Sequence, residues 1–246
     1  WDGGKGGFKF YVKETKANVA VALPFTFIVL DSLVTISGFN DHEQSSFWYN
    51  EVRKKELKTG ILKVRTKKGQ FCEGTYEAIK GRDKGMKYCE SVYIGYMNEQ
   101  KQMVIGNIKF VGAALTAWIN YVAGEKDEKG KRLSDPHDPF KGAITVASMK
   151  EGKKGNTIYQ SPVFTPKEIK PATEALVIDL DKQLQEYLKA YFAKDAMDHA
   201  NAESAGVAEV ADETKPEAEA TFTSKDESVV VDPNMNLESS FIDEDF

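Results

Sequence analysis

The chain has 246 residues, 41% of them hydrophobic and 29% charged, with a formal net charge of −5; this reads as a soluble globular protein of one packed domain plus accessory segments. Two cysteines, Cys72 and Cys89, are too few for a disulfide framework and suit a reducing cytoplasm. The longest apolar stretch, residues 19–30, contains Pro24 and Thr26 and falls short of the ~20 residues of a membrane-spanning helix, and the opening Trp1-Asp2-Gly3-Gly4 is no secretory leader, so we expect a cytoplasmic chain with a trimmed start and no membrane partner.

Phe8, Phe10 and Val12 alternate with Lys9, Tyr11 and Lys13, the period-2 pattern of a strand. Phe25, Phe27 and Val29 alternate with Thr26, Ile28 and Leu30, and this second strand runs on through Leu33 to Gly38, with Asp31-Ser32 as the expected bulge. Residues 61–66 and 70–80 flank Lys67-Lys68-Gly69, which predicts a basic hairpin whose glycine takes the positive φ. Residues 87–97 and 101–105 predict another strand pair around Asn98-Glu99-Gln100. After Gly106 the period changes: Ile108, Val111, Leu115, Trp118 and Val122 recur at three- and four-residue steps, so residues 107–123 read as an amphipathic helix stopped by Gly124. A charged loop over 125–140 leads to two further strands, 143–149 and 157–164. From Pro171, the residues Leu176, Leu180, Leu184, Tyr187 or Leu188, and Tyr191 fall on one face of a helix expected over about 171–193 and packed on the domain.

The end of the chain differs in kind. Residues 195–246 hold 15 Asp/Glu and 2 Lys, a net of −13, which leaves 31 Lys/Arg and 23 Asp/Glu, a net of +8, in residues 1–194. The acidic segment offers too little apolar surface to offset ordering entropy and reads as a disordered tail. Residues 1–194 then form one mainly β domain with an inserted helix and an added C-terminal helix. A basic body joined to an acidic tail points to a polyanion for the first and protein partners for the second.

Catalytic patterns are scarce. His42, His137 and His199 stand in unrelated contexts, no His/Cys spacing resembles a zinc site, and His137 between Asp135 and Asp138 sits in a turn-forming Asp-Pro-His-Asp-Pro loop. The segment from Gly124 to Arg132 has the wrong glycine spacing for a phosphate loop and Arg where Ser or Thr is needed. We therefore expect no enzyme activity, no catalytic residue, no metal and no cofactor.

Bases interleaved with aromatics are what the body does offer. Trp48 and Tyr49 precede Arg53; Lys63, Arg65, Lys67 and Lys68 lead to Phe71 and Tyr76; Lys80, Arg82, Lys84 and Lys87 lead to Tyr88 and Tyr93. Cations neutralise phosphates while aromatic faces stack on unpaired bases, and neither contact needs a particular base sequence. Alternation would put Lys63, Arg65 and Lys67 on one strand face. The rival reading makes the aromatics core residues and the lysines a solvated face.

The chain closes on Phe241-Ile242-Asp243-Glu244-Asp245-Phe246. With the strand, helix, strand order and the acidic run before it, this resembles the single-stranded DNA-binding proteins of bacteria and tailed bacteriophages, in the phage style of acids then Phe. The resemblance implies an OB-type β-barrel, sequence-independent coating of single-stranded DNA in replication, recombination or repair, and a tail that competes with DNA and recruits replication or recombination proteins through Asp243, Glu244, Asp245 and Phe246. An RNA-binding or replisome adaptor module, and a nucleic-acid-processing enzyme, are the alternatives.

Overall fold

The computed structural model describes residues 1–12, 17–40, 45–66, 69–80 and 86–205, and within them the side chains of 1–10, 17–37, 50–63, 73–80 and 86–193. The β-branched and aromatic run Phe25–Asn40 forms a single strand of 16 residues, and three other strands pair along its two edges. In chain order these are β1 (Phe8–Val12), β2 (Ala17–Val21), β3 (Phe25–Asn40), β4 (Ser45–Tyr49), a 3-10 turn (Lys54–Glu56), β5 (Leu62–Thr66), β6 (Gly69–Gly74), the short helix α1 (Tyr76–Ile79), β7 (Lys87–Met97), β8 (Met103–Phe110), α2 (Gly112–Ala123), β9 (Ala143–Lys154), β10 (Thr157–Lys167) and α3 (Pro171–Ala205).

β1 and β2 pair as a small hairpin, and the remaining eight strands form one antiparallel sheet. One edge of β3 is taken by β7, from Phe27 to Ser37, and β7 is followed by β8. The other edge is shared: β9 pairs with Phe25 to Ile28 and β4 with Ser37 to Asn40. The sheet is therefore forked, with β9 and β10 on one prong and β4, β5 and β6 on the other. Among the described residues no strand pair closes it into a barrel; what is established is a mainly β protein with an open antiparallel sheet. The pairing of β3 with β7 slips between Val29 and Asp31, which makes Leu30 the extra residue and puts the bulge just before the expected Asp31-Ser32.

Among the described residues three hydrophobic clusters hold the sheet. On one face, Phe27, Val29, Val92, Ile94, Phe110, Ile144 and Val146 meet Ala114 and Trp118 of α2. Trp118 is 1% exposed; it stacks on Phe110 at 5.1 Å and meets Phe164 edge-on at 5.3 Å. At the β4–β6 prong, Val34, Ile36, Val52, Leu62 and Ile79 form the second cluster. On the other face, Leu30, Leu33, Tyr93 and Met103 receive Leu180, Leu184 and Leu188 of α3, whose four-residue spacing makes one helical stripe. α2 ends at Gly124, with φ +79 and the Ser134 carbonyl oxygen 2.6 Å from where a Cβ would stand, so only glycine fits.

Four boundaries differ from the sequence reading. Residues 107–110 are strand rather than helix, because Ile108 and Phe110 alternate inward with Asn107 and Lys109 and continue the pairing with β7. Residues 76–79 are a helical turn rather than the end of a hairpin strand. The β9–β10 hairpin runs to Lys154 and Thr157, well past 149. α3 continues to Ala205, beyond the expected end near 193, carried by Ala193, Ala196, Met197, Ala200 and Ala202, all good helix formers. The acidic segment from residue 206 onward lies outside the described residues.

Candidate nucleic-acid interface

Not every base of the body is available to a ligand, because three buried carboxylates claim some of them. Asp31, Glu51 and Glu90 are 9%, 9% and 6% exposed, and a buried carboxylate is tolerated only when hydrogen-bonded or paired. Arg53 donates to Asp31 Oδ1 at 2.5 Å, lies over the Phe192 ring at 5.5 Å, and shares Asp31 with Gln185 of α3 at 3.1 Å. Glu51 accepts from Ser91 Oγ at 2.6 Å and Tyr93 Oη at 2.7 Å, with Lys109 Nζ at 4.0 Å. Glu90 accepts from Ser32 Oγ at 3.0 Å and Trp118 Nε1 at 3.2 Å, with Lys54 Nζ at 3.7 Å.

Several expected site residues are thereby relocated. Tyr93 is 5% exposed and spends its hydroxyl on Glu51; burial first, then the neighbouring carboxylate, pushes its phenol far above the ordinary range. It is a core residue and cannot stack on a base. Lys63 is 3% exposed, so its position on β5 faces the interior, and the expected row Lys63, Arg65, Lys67 is not a solvent-facing row at its first member. Arg53 is held by its ion pair to Asp31.

What the fold does assemble lies at the β4–β6 prong. The ring of Tyr76 meets Tyr88 edge-on at 6.2 Å, and both are only partly buried against the second cluster. Burial pushes the Tyr88 phenol up to about 12. Lys80 Nζ stands 5.7 Å from the Tyr76 ring centre and is paired with Glu77 at 2.5 Å, which raises its pKa. Lys87 is exposed at the start of β7. In register Lys87 lies opposite Ser37, Ser37 opposite Trp48, and Trp48 opposite Arg65. One cross-strand row thus brings together three expected site positions that are far apart in sequence. Tyr49 occupies the next position of β4, and Phe71 lies on β6. The side chains of Trp48, Tyr49, Arg65 and Phe71, and the whole of Lys67, Lys68, Arg82, Lys84, Asp243, Glu244, Asp245 and Phe246, lie outside the described residues.

A second basic region, which the sequence did not single out, is the outer half of the β9–β10 hairpin. Beyond Val146 it has left β3, and Lys150, Lys153 and Lys154 are exposed. Its cue was the alternation of Lys150, Gly152 and Lys154, masked by two glycines that made the segment read as a loop. Among the described residues no group of three or more His, Cys, Asp or Glu is placed to hold a metal ion, and no helix is long and apolar enough to cross a membrane. The chain matches no family model, no curated protein and no solved structure.

Proposed function

We propose that this chain binds single-stranded DNA without sequence preference and without catalysis, coating it during replication, recombination or repair. The observation that carries the reading is the row Lys87, Trp48, Arg65 across four strands, with the partly exposed Tyr76 and Tyr88 at the same end of the sheet on its opposite face, on a body whose net charge is +8. Aromatic faces for unpaired bases and cations for phosphates then share one end of one sheet. The OB-type fold belongs to the same proposal: β3 changes partners along its length and carries a bulge, the device by which a strand turns a corner between the two layers of a small antiparallel barrel. The acidic segment competes with DNA for the basic surface and recruits replication or recombination proteins through Asp243, Glu244, Asp245 and Phe246.

Binding of a labelled oligothymidine, followed by fluorescence anisotropy across a salt series, tests the reading. The expected plot of log K against log salt is linear with a slope of about −0.7 per phosphate neutralised, and duplex of equal length binds more weakly. A flat plot, or equal affinity for duplex, overturns it. A preference for RNA favours the adaptor alternative, and metal-dependent cleavage of the oligonucleotide favours a processing enzyme.

A further inference from the structure

The outer β9–β10 ribbon combines features the core sheet does not need. Tyr159 lies directly opposite Gly152 in register, and its ring is laid across that glycine: a Cβ there would stand 2.6 Å from the tyrosine Oη. One side of the ring is thus seated on bare backbone. Lys150 and Lys154 occupy the positions two before and two after Gly152 on β9, on the same face as Tyr159. On the opposite face the N-terminal segment packs over Met149 and Gln160. Gly6 packs on it so tightly that a Cβ there would stand 3.1 Å from Met149 Cε and 3.3 Å from Gln160 Cβ. The same segment pairs with the ribbon's edge, Gln160 N–H donating to the Gly3 carbonyl at 2.7 Å and Trp1 Nε1 to the Gln160 carbonyl at 2.8 Å. Among the described residues Tyr159 joins no aromatic pair, and Lys150 and Lys154 join no ion pair.

Covering a strand glycine with an aromatic ring steadies a ribbon by itself. The flanking lysines add something that role does not require: a flat π surface between two cations, on the face the N-terminal segment leaves open. We propose that this face is a second binding surface for single-stranded DNA, with Tyr159 stacking on a base and Lys150 and Lys154 meeting the adjoining phosphates. The inference rests on the single-stranded DNA reading above and adds to it a site at the other end of β3. β9 runs antiparallel to β3 and passes Phe25, so the ribbon projects away from the β4–β6 prong, which pairs at Ser37 to Asn40.

The full-length chain and its Y159A, Y159F and K150Q/K154Q variants are titrated with the same oligothymidine, with thermal melts in parallel. The wild-type complex with 5-iodouracil-substituted DNA is also photo-crosslinked and the adduct mapped by mass spectrometry. The expected results are binding weakened about five- to hundred-fold by Y159A, retained by Y159F, a salt slope less steep by about 0.7 for each phosphate that the lysine variant no longer neutralises, and an adduct on Tyr159. Wild-type binding with Y159A unchanged overturns the inference while leaving the proposed function standing. If Y159A lowers the melting temperature, the wild-type adduct decides: none on the Tyr159 peptide overturns the inference. A wild type that binds no single-stranded DNA overturns the proposed function itself.

Discussion

At the scale of single residues, burial decides chemistry more than identity does. Cys89 is fully buried on β7, and removal from water pushes its thiol up to about 12 from an ordinary 9.0, so at neutral pH it is an inert core atom group. Tyr88 moves to about 12 from 10.0, and Tyr93 moves up further, both chiefly by burial. All three are neutral when protonated, and each holds its proton more tightly folded than unfolded. Between the unfolded and folded pKa values the native state therefore binds more protons, and stability falls as pH rises. The contribution of these three groups to the denaturation profile is flat through neutrality and declines above about pH 9, by up to about 1.4 kcal/mol per pH unit for each group titrating in the unfolded chain. In a C89A variant the decline starts nearer pH 10, where only the tyrosines remain. Urea melts from pH 7 to 11 check this; an unchanged onset in C89A would show that the thiol is not protected by the fold.

At the scale of elements, α3 is an integral part of the fold. Its Leu180, Leu184 and Leu188 are each at most 1% exposed beneath the sheet, while Tyr191 Oη accepts the Glu51 backbone N–H at 2.8 Å and Gln185 reaches Asp31. L184A should cost about 2–5 kcal/mol, the range for a buried leucine whose cavity cannot collapse, in a single cooperative transition seen equally by far-UV circular dichroism and tryptophan fluorescence. Two separated transitions would mean that α3 melts off an independently stable sheet. This helix was legible in the sequence because its apolar stripe repeats at three and four residues over about four turns; its extension to Ala205 was not, since charge rather than helix propensity set the expected boundary. The start of α2 was misplaced for a related reason. Ile108 and Val111 fit a helical period, but Ile108 and Phe110 also fit a strand period, and pairing with β7 settles the conflict. For the candidate site, the interleaving of bases and aromatics was legible. Which of them reach solvent was not: Tyr93 turns inward to give its hydroxyl to Glu51, 42 residues away, and Lys63 is buried on a strand whose backbone N–H is held by the Asn50 side chain, 13 residues away. The row Lys87, Trp48, Arg65 depends on the register of four strands, which no local pattern encodes.

At the scale of the whole molecule, the separation of charge along the chain is the strongest functional signal. Residues 206–246 contain 12 Asp/Glu and 2 Lys, a net of −10, and follow α3. On the proposed function this covalently attached polyanion acts at high effective concentration as a competitor for any ligand of the same sign. Ending the chain at Ala205 removes that competitor while keeping all of α3, so the shortened protein should melt at the same temperature and bind single-stranded DNA several-fold more tightly. The difference should depend on ionic strength. It is largest near 0.01 M salt, where the screening length is about 30 Å, and it shrinks by 0.15 M, where that length is about 8 Å and only charges close to the basic surface still count. Parallel salt titrations of the full-length and shortened chains measure this directly. Tighter binding that converges with rising salt supports self-competition through charge. An advantage that does not change with salt would instead point to steric obstruction, and a loss of affinity would place part of the DNA-binding surface within the acidic segment and overturn the assignment of the two functions to two parts of the chain.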